Sequence, residues 1–451
     1  MLSRSLGRCH CMSKYLLACI FVVGAALQAQ QPTIPTELGT APLTGDAASN
    51  RSNSLAYGLT VSTAFDDNAT DPANVNQGRT NLTSSIQPQT ALSLNRGHIS
   101  SRFSYSPGYT YSSDIGTYNA SSQSAGADVK YLFTKRLSLH FVNAFSLTTN
   151  PYETFQANSD VPSLGILNRP NESALGANTR NTTEQSQADL VYQLGRHTSV
   201  GAGGTFTDLR YKAITSGNSV NAASVDSCGW SGHAFYSHQW TARYSFGIQY
   251  TAQQLSSDTT TGEFSTLSHQ VLGFVTIAFR PTIHLSVFAG PQRSEIDNNY
   301  LNLQSPFQFH THRTSFAGGS SLIWQGEHNG LSANFVQQIS DSGFNGGASV
   351  LVRTIDVQMQ RQLTARSSVR LFGTYVSNNQ LDPVSAFLLT DYASAGVGFS
   401  KSLTQHVTLN FSAQRQQFLG ATGNLLQGYR QHSHDIGTVS LSYNFIRPIG
   451  R

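Results

Sequence analysis

Along most of this chain, apolar and polar residues alternate one by one. In residues 354–375, TIDVQMQRQLTARSSVRLFGTY, Ile355, Val357 and Met359 alternate with Asp356, Gln358 and Gln360. A polar TARS break follows, after which Val369, Leu371, Gly373 and Tyr375 alternate with Ser368, Arg370, Phe372 and Thr374. A period of two marks a strand with one wet and one apolar face, and two such runs about a short break mark a hairpin. The unit recurs along the chain. The pattern predicts strand pairs at 85–96 with 99–111, 124–134 with 137–149, 182–194 with 198–211, and 228–240 with 242–255. It continues at 267–279 with 283–294, 314–324 with 330–340, 350–363 with 368–377, and 390–403 with 407–418. Single strands at 54–65 and 435–446 complete a set of about eighteen, within a range of sixteen to eighteen. No helix of any length is expected.

The connections inside the pairs are short: TKR, GRHT, RPT, QGEHN, TARS and TQH. Those between pairs are long and rich in Asn, Ser, Asp and Gly, as in DDNATDPANVNQGRTN and LGATGNLLQGYRQH. Short–long alternation means that successive strands reverse direction, with one rim trimmed and the other elaborated. The predicted fold is therefore all-β: a single closed antiparallel up-and-down transmembrane β-barrel with short periplasmic turns and long extracellular loops. A chain that begins and ends on an unpaired strand places both termini on the short-turn side.

Reading the faces separately sharpens the picture. Tyr244, Phe246, Ile248 and Tyr250 alternate with Ser245, Gly247, Gln249 and Thr251, and Val407, Leu409 and Phe411 with Thr408, Asn410 and Ser412. In a soluble sandwich the polar face would carry Lys and Glu; here it carries Ser, Thr, Gln, Asn and Gly. Such a face suits a barrel lumen, with the apolar face toward lipid. Aromatic residues near strand ends, among them Phe65, Tyr109, Tyr111, Trp240, Trp324, Phe418 and Tyr443, fit interfacial girdles.

Composition agrees. Only 12% of the 451 residues are charged, yet only 39% are hydrophobic, and 18 Tyr and 25 Phe argue against disorder. The formal charge is +4 with no Lys/Arg runs, so nucleic acid is excluded as a partner. At the N-terminus, Arg4, Arg8 and Lys14 precede YLLACIFVVGAAL and a cleavage site after Ala29. Residues 1–29 thus read as a signal peptide, 30–53 as a periplasmic leader and 54–451 as the barrel. Met12 offers an alternative start, because MSKYLL begins a complete signal by itself. Leu17-Ala18-Cys19 resembles a lipoprotein box, but the apolar run continues past the cysteine. Cys9, Cys11 and Cys19 fall in the signal, which leaves Cys228 and no internal disulfide.

Catalytic patterns are thin: no GxSxG, HExxH, P-loop or CxxC occurs after the signal, so no catalytic residue, cofactor or metal is assigned and the chain reads as a non-enzyme. An outer-membrane phospholipase would need a Ser–His pair, and Ser265, Ser268 and His269 are neighbours without a supporting partner. His310 and His312 share one strand face and could hold a metal with two more ligands, against the blander reading of rim histidines. Asp66-Asp67-Asn68 could bind a cation through oxygens or simply end a strand. The residues assigned to the lumen are Arg102, Asp128, Lys130, Asp189, Arg243, Asp356, Gln358, Gln360 and Arg370. Their signs are mixed, so a neutral, hydroxyl- and amide-rich lining with weak ion selectivity is expected.

The last strand, GTVSLSYNF, resembles the C-terminal recognition strand of bacterial outer-membrane barrels, although an IRPIGR tail follows the aromatic Phe445. Over about residues 54–446 the layout resembles β-barrel porin families of Gram-negative bacteria, some of them associated with exopolysaccharide export. The resemblance implies location in the cell outer membrane. It implies contact with outer-membrane lipid, lipopolysaccharide and the insertion machinery, and passage of small polar or neutral solutes. By analogy with porins, the long third loop at 150–181 would narrow the channel, with Glu153, Asp160, Arg169 and Glu172 as constriction residues. An export conduit for polysaccharide and a structural or adhesive barrel with a closed lumen remain alternatives. Oligomeric state is left open.

Overall fold

The computed structural model describes residues 53–71, 74–113, 119–148, 179–213, 226–258, 262–300, 307–341, 349–380, 389–422 and 433–449. Every regular element among them is a strand. In chain order they are β1 (Ser54–Asp71), β2 (Asn74–Arg96), β3 (Ile99–Ser112), β4 (Ala120–Leu132), β5 (Leu137–Thr148) and β6 (Thr179–Gln193). There follow β7 (Thr198–Ala213), β8 (Asp226–Gln239), β9 (Tyr244–Asp258), β10 (Gly262–Arg280), β11 (Ile283–Tyr300) and β12 (Phe307–Gln325). The set ends with β13 (Asn329–Asp341), β14 (Ser349–Thr364), β15 (Ser367–Gln380), β16 (Leu389–Ser402), β17 (Val407–Thr422) and β18 (Ser433–Pro448). Each strand pairs antiparallel with its chain neighbours, and β18 pairs with β1 from Pro448↔Ser54 to Ile436↔Asp66. The ladder closes on itself as an eighteen-stranded barrel.

Closure accounts for two departures from the expected boundaries. β1 and β2 continue into the segment read as the first long loop, with Ala69 opposite Arg79. The tail after Phe445 is partly strand, since Ile446, Arg447 and Pro448 complete the seam against Ala56, Leu55 and Ser54. Backbone groups at a seam need partners as much as those elsewhere, so the sheet extends as far as both strands can supply them.

Four of the short turns share one device. The hydroxyls of Thr134, Thr241, Thr364 and Thr404 each accept hydrogen bonds from amides two or three residues on, at 3.0–3.2 Å. A threonine at that position satisfies donors that the reversing backbone would leave open. In the turn before β3, Gly97 takes a φ of 55°, the left-handed region that favours glycine.

Packing is inverted relative to a soluble domain. Among the described residues 41 large apolar side chains are exposed, against 19 buried hydrophobic ones. The exposed set includes Tyr57, Leu59 and Val61 on β1, Ile355, Val357 and Met359 on β14, and Val439, Leu441 and Tyr443 on β18. At ~80 Å² each they present on the order of 3,000 Å² of apolar surface, several times the largest patch on a typical soluble monomer. The opposite face carries the polar partners: Thr60 with Ser442 at 3.1 Å, Ser62 with Ser85 at 2.6 Å, and Thr276 with Ser286 at 3.1 Å.

Candidate functional site

Eighteen strands ~4.8 Å apart and tilted ~40° enclose a backbone cylinder about 36 Å across. Side chains reach only ~6–7 Å inward by the same geometry, so they cannot fill it. Something else enters. The β12–β13 ladder stops at Gly318↔Gln337, although both strands continue toward the far rim. Beyond that point β13 and β14 stay paired with each other, from Gln338↔Val352 to Asp341↔Ser349. Val350, Leu351 and Val352 are consecutive, so they point to alternating sides, and all three are buried. Leu351 and Ile339 pack on Ile296 of β11, with Leu255 of β9 against them. Val350 and Val352 pack on Val376 of β15 and Tyr392 of β16. β14 also comes within reach of β10, four strands away around the ring. A hairpin touching both β9–β11 and β15–β16 can only lie inside the cylinder. The distal part of β13–β14 is a tongue folded into the barrel mouth.

Below the tongue, ionisable side chains gather in two patches on the inner face. In the first, Arg102 of β3 stands opposite Asp128 of β4, and Lys130 stands opposite His140 of β5, itself opposite Asp189 of β6. His140 Nε2 lies 2.9 Å from Asp128 Oδ1. Asp189 Oδ2 accepts from Gln187 Nε2 at 2.6 Å, and Asp189 Oδ1 lies 3.0 Å from His233 Nε2 on β8. That last contact is an ion-pair distance at an angle too poor for a hydrogen bond, and both side chains are buried. It passes over β7 because the residue between is Gly203. A Cβ there would stand 2.0 Å from Asp189 Oδ1 and 2.8 Å from His233 Cε1.

The second patch lies on β14 and β15. Asp356 accepts from Thr374 Oγ1 at 2.9 Å, and the Arg370 guanidinium stands 5.3 Å from the centroid of the Phe372 ring. Gln360 and Gln358 lie opposite Arg370 and Phe372. β5 and β14 are nine steps apart in a ring of eighteen, so the patches face each other across the lumen. Each carries both signs of charge.

Of the residues assigned to the lumen, eight stand on the inner face: Arg102, Asp128, Lys130, Asp189, Asp356, Gln358, Gln360 and Arg370. Arg243 does not. It lies in the turn before β9, where its amide donates to Thr241 Oγ1 and its carbonyl accepts from Ala278 N. The alternation predicts a strand from 242, whereas β9 begins at Tyr244, which leaves Arg243 exposed in a turn that Thr241 caps. Glu153, Asp160, Arg169 and Glu172 lie outside the described residues, as do the signal segment and most of the leader.

The remaining candidates separate cleanly. Ser268 points inward to Ser294 at 2.9 Å while His269 points outward to Tyr250 Oη at 2.8 Å, so they form no pair. Asp66 accepts from the Asn68 amide and faces His434, and Asp67 accepts from the Asp435 amide at 2.8 Å. Those groups tie the β1–β18 seam. The expected neutral, polar lining also needs a correction. Leu272, Phe274, Phe288 and Ala317 form a buried apolar cluster on the inner face of β10–β12. In VLGFVTIAF both faces are apolar, so alternation could not reveal that one of them points inward.

No family model matches the chain, and no curated protein matches it. Solved structures that resemble it include Acinetobacter baumannii OccAB4, at 10% identity over 88% of this chain and all of that one, with a TM-score of 0.43. Pseudomonas aeruginosa OpdO shows 10% identity over 88% of this chain and 97% of its own, with a TM-score of 0.41. The ferric enterobactin receptor PfeA of Pseudomonas aeruginosa shows 11% identity over 88% and 82%, with a TM-score of 0.42.

Proposed function

We propose that this protein spans an outer membrane as a barrel and forms a weakly selective, water-filled conduit for small polar solutes, narrowed by the β13–β14 tongue. The observation that carries the reading is the inversion of faces in a closed sheet, with an apolar exterior and a polar interior holding charges of both signs. The short-turn rim supports the orientation. There the apolar exterior, with Leu194, Trp240, Phe279, Leu363 and Leu403, gives way to Arg96, Lys135, Arg136, Arg196, Arg243, Arg280 and Arg366. Cations next to an apolar belt sit at the level of lipid phosphates.

The tongue favours a second reading, a barrel whose lumen is closed at rest and which serves a structural or surface role. One measurement separates the two. Purified full-length protein in planar bilayers should give steady conductance with a cation-to-anion permeability ratio near that of the bulk electrolyte. Silence of a correctly folded barrel, shown by different gel mobility before and after boiling, would exclude the open channel.

A further inference from the structure

Toward the far rim of β11 and β12, two imidazoles converge on the outer surface, away from the lumen. β12 begins FQFHTHR, which sets His310 and His312 on one side of the strand. Phe316, highly exposed on the same side four residues further on, marks that side as the exterior. The register places Asp297 opposite His310 and Glu295 opposite His312. His310 Nδ1 contacts Asp297 Oδ1, and His312 Nδ1 lies 3.7 Å from Glu295 Oε1. The other edges of the rings meet: the two Nε2 atoms are 3.2 Å apart, with ring planes at 89°.

An imidazole whose Nδ1–H is held by a carboxylate offers Nε2 as a lone pair. Two nitrogens this close need something between them: a proton on one Nε2, donated to the other, or a cation that takes up both lone pairs. Their 3.2 Å separation is about that of two nitrogens each ~2.0 Å from one tetrahedral centre. We propose that His310 and His312 bind one divalent transition cation of the zinc, copper or nickel class through Nε2. Asp297 then acts behind His310 as the carboxylate that fixes its ring, and Glu295, 3.7 Å from His312 Nδ1, supplies negative charge behind the other without a hydrogen bond. Nitrogen donors select this class over calcium or magnesium, which take oxygen ligands. Among the described residues no three His, Cys, Asp or Glu side chains converge on a common point. The cation therefore keeps coordination positions for water or for an added ligand. Arg293 Nη2, 3.5 Å from Glu295 Oε1, leaves Asp297 as the stronger of the two backing groups.

The test uses the full-length protein in detergent, stripped with a chelator and titrated calorimetrically with Zn²⁺ or Cu²⁺. One equivalent should bind, and the Cu²⁺ form should show two nitrogen ligands by electron paramagnetic resonance. H310Q and H312Q should each weaken binding at least about tenfold, and Asp297→Asn by roughly 10–100-fold. Retention of boiling-dependent gel mobility would show that the variants still fold. Failure of the parent to bind, or equal binding by the H310Q/H312Q double variant, would overturn the site. Unchanged affinity in Asp297→Asn would overturn the role of the carboxylates.

Discussion

The inner wall from β6 to β11 and the inner wall from β14 round to β2 follow the same alternation, yet they differ in what covers them. In the first sector inward residues are buried: Asp189, Val191, His233, Phe235, Thr251, Gln270, Leu272, Phe274, Phe288 and Gln292. In the second the mid-wall residues are more often half-open, as with Thr60, Ser62, Asp356, Gln358, Ser394 and Asn410, and the buried ones lie mostly toward the far rim, among them Val376, Tyr392, Gln416 and Ile436. The first sector places large side chains beside glycines, so that rings and carboxylates lie flat on the neighbouring strand; Phe235 lies over Gly201 and Phe274 over Gly247. The tongue then presses on it through Ile296. The second sector uses mainly small hydroxyl and amide side chains, joined in pairs such as Thr60–Ser442, Ser62–Ser85 and Gln89–Asn444, with Phe372 over Gly396 as its one comparable ring among these glycine contacts. A barrel wall is thus a packed surface or a wetted one according to residue size at a single parity. The conduit proposed above would run along the second sector.

The largest expected effect comes from detaching the tongue from the packed sector. Ile339→Asp combined with Leu351→Asp would set two charges against Ile296 and Leu255, removing apolar contacts worth about 2–5 kcal/mol per side chain. Conductance in planar bilayers should rise several-fold while the barrel still shifts on boiling. Conductance equal to that of the parent would show that the tongue does not narrow the path.

This tongue shows where the sequence was legible and where it was not. Eighteen strands, their order and the outward face follow from period-two alternation, because a sheet with two different surroundings writes that period into most strands, β10 with its two apolar faces excepted. The tongue breaks the period: Val350-Leu351-Val352 are apolar in succession, the mark of a segment covered on both sides. That signal was present, but a strand end beside a long loop offered no reason to read it as an inward fold. The gathering of Asp128, His140, Asp189 and His233 was not legible in the same way. It depends on the stagger of five successive strands, and stagger is set by barrel closure, which no local pattern encodes.

Glycine substitutions test the packed and wetted sectors against each other. A Cβ on Gly203 would meet the Ala188 carbonyl oxygen at 2.6 Å as well as the Asp189–His233 pair, and backbone cannot move aside. Gly203→Ala should cost about 1–3 kcal/mol of stability toward denaturant. The three atoms nearest a Cβ on Gly58 all belong to side chains, Gln89 Nε2 and Cγ and Asn444 Oδ1, and the ends of the two hydrogen-bond to each other at 2.9 Å across the seam. Those ends can swing into the lumen, so Gly58→Ala should cost less than about 1 kcal/mol. Equal losses would mean that both sectors are packed.

The carboxylates extend the contrast at smaller scale. Asp189→Asn removes the charge facing His233 in a buried pair and should cost about 1–3 kcal/mol. Asp356→Asn keeps a hydrogen-bond acceptor for Thr374 in a partly open site and should fall within about 0.5 kcal/mol of the parent. Denaturant midpoints at unchanged slope are the readout.

Ion selectivity should respond in the opposite order, and by the least. Arg370 is exposed on the inner face of the wetted sector, so Arg370→Glu should shift the permeability ratio toward cations by roughly twofold. Asp189 is sealed beneath Gln187 and His233, so Asp189→Asn should leave the ratio unchanged even where it lowers stability. A charge governs permeation only when ions can approach within about a Debye length of it through water. A selectivity shift in Asp189→Asn as large as that in Arg370→Glu would place the solute path along the wrong wall, and the division of the lumen into a packed and a wetted sector would fall with it.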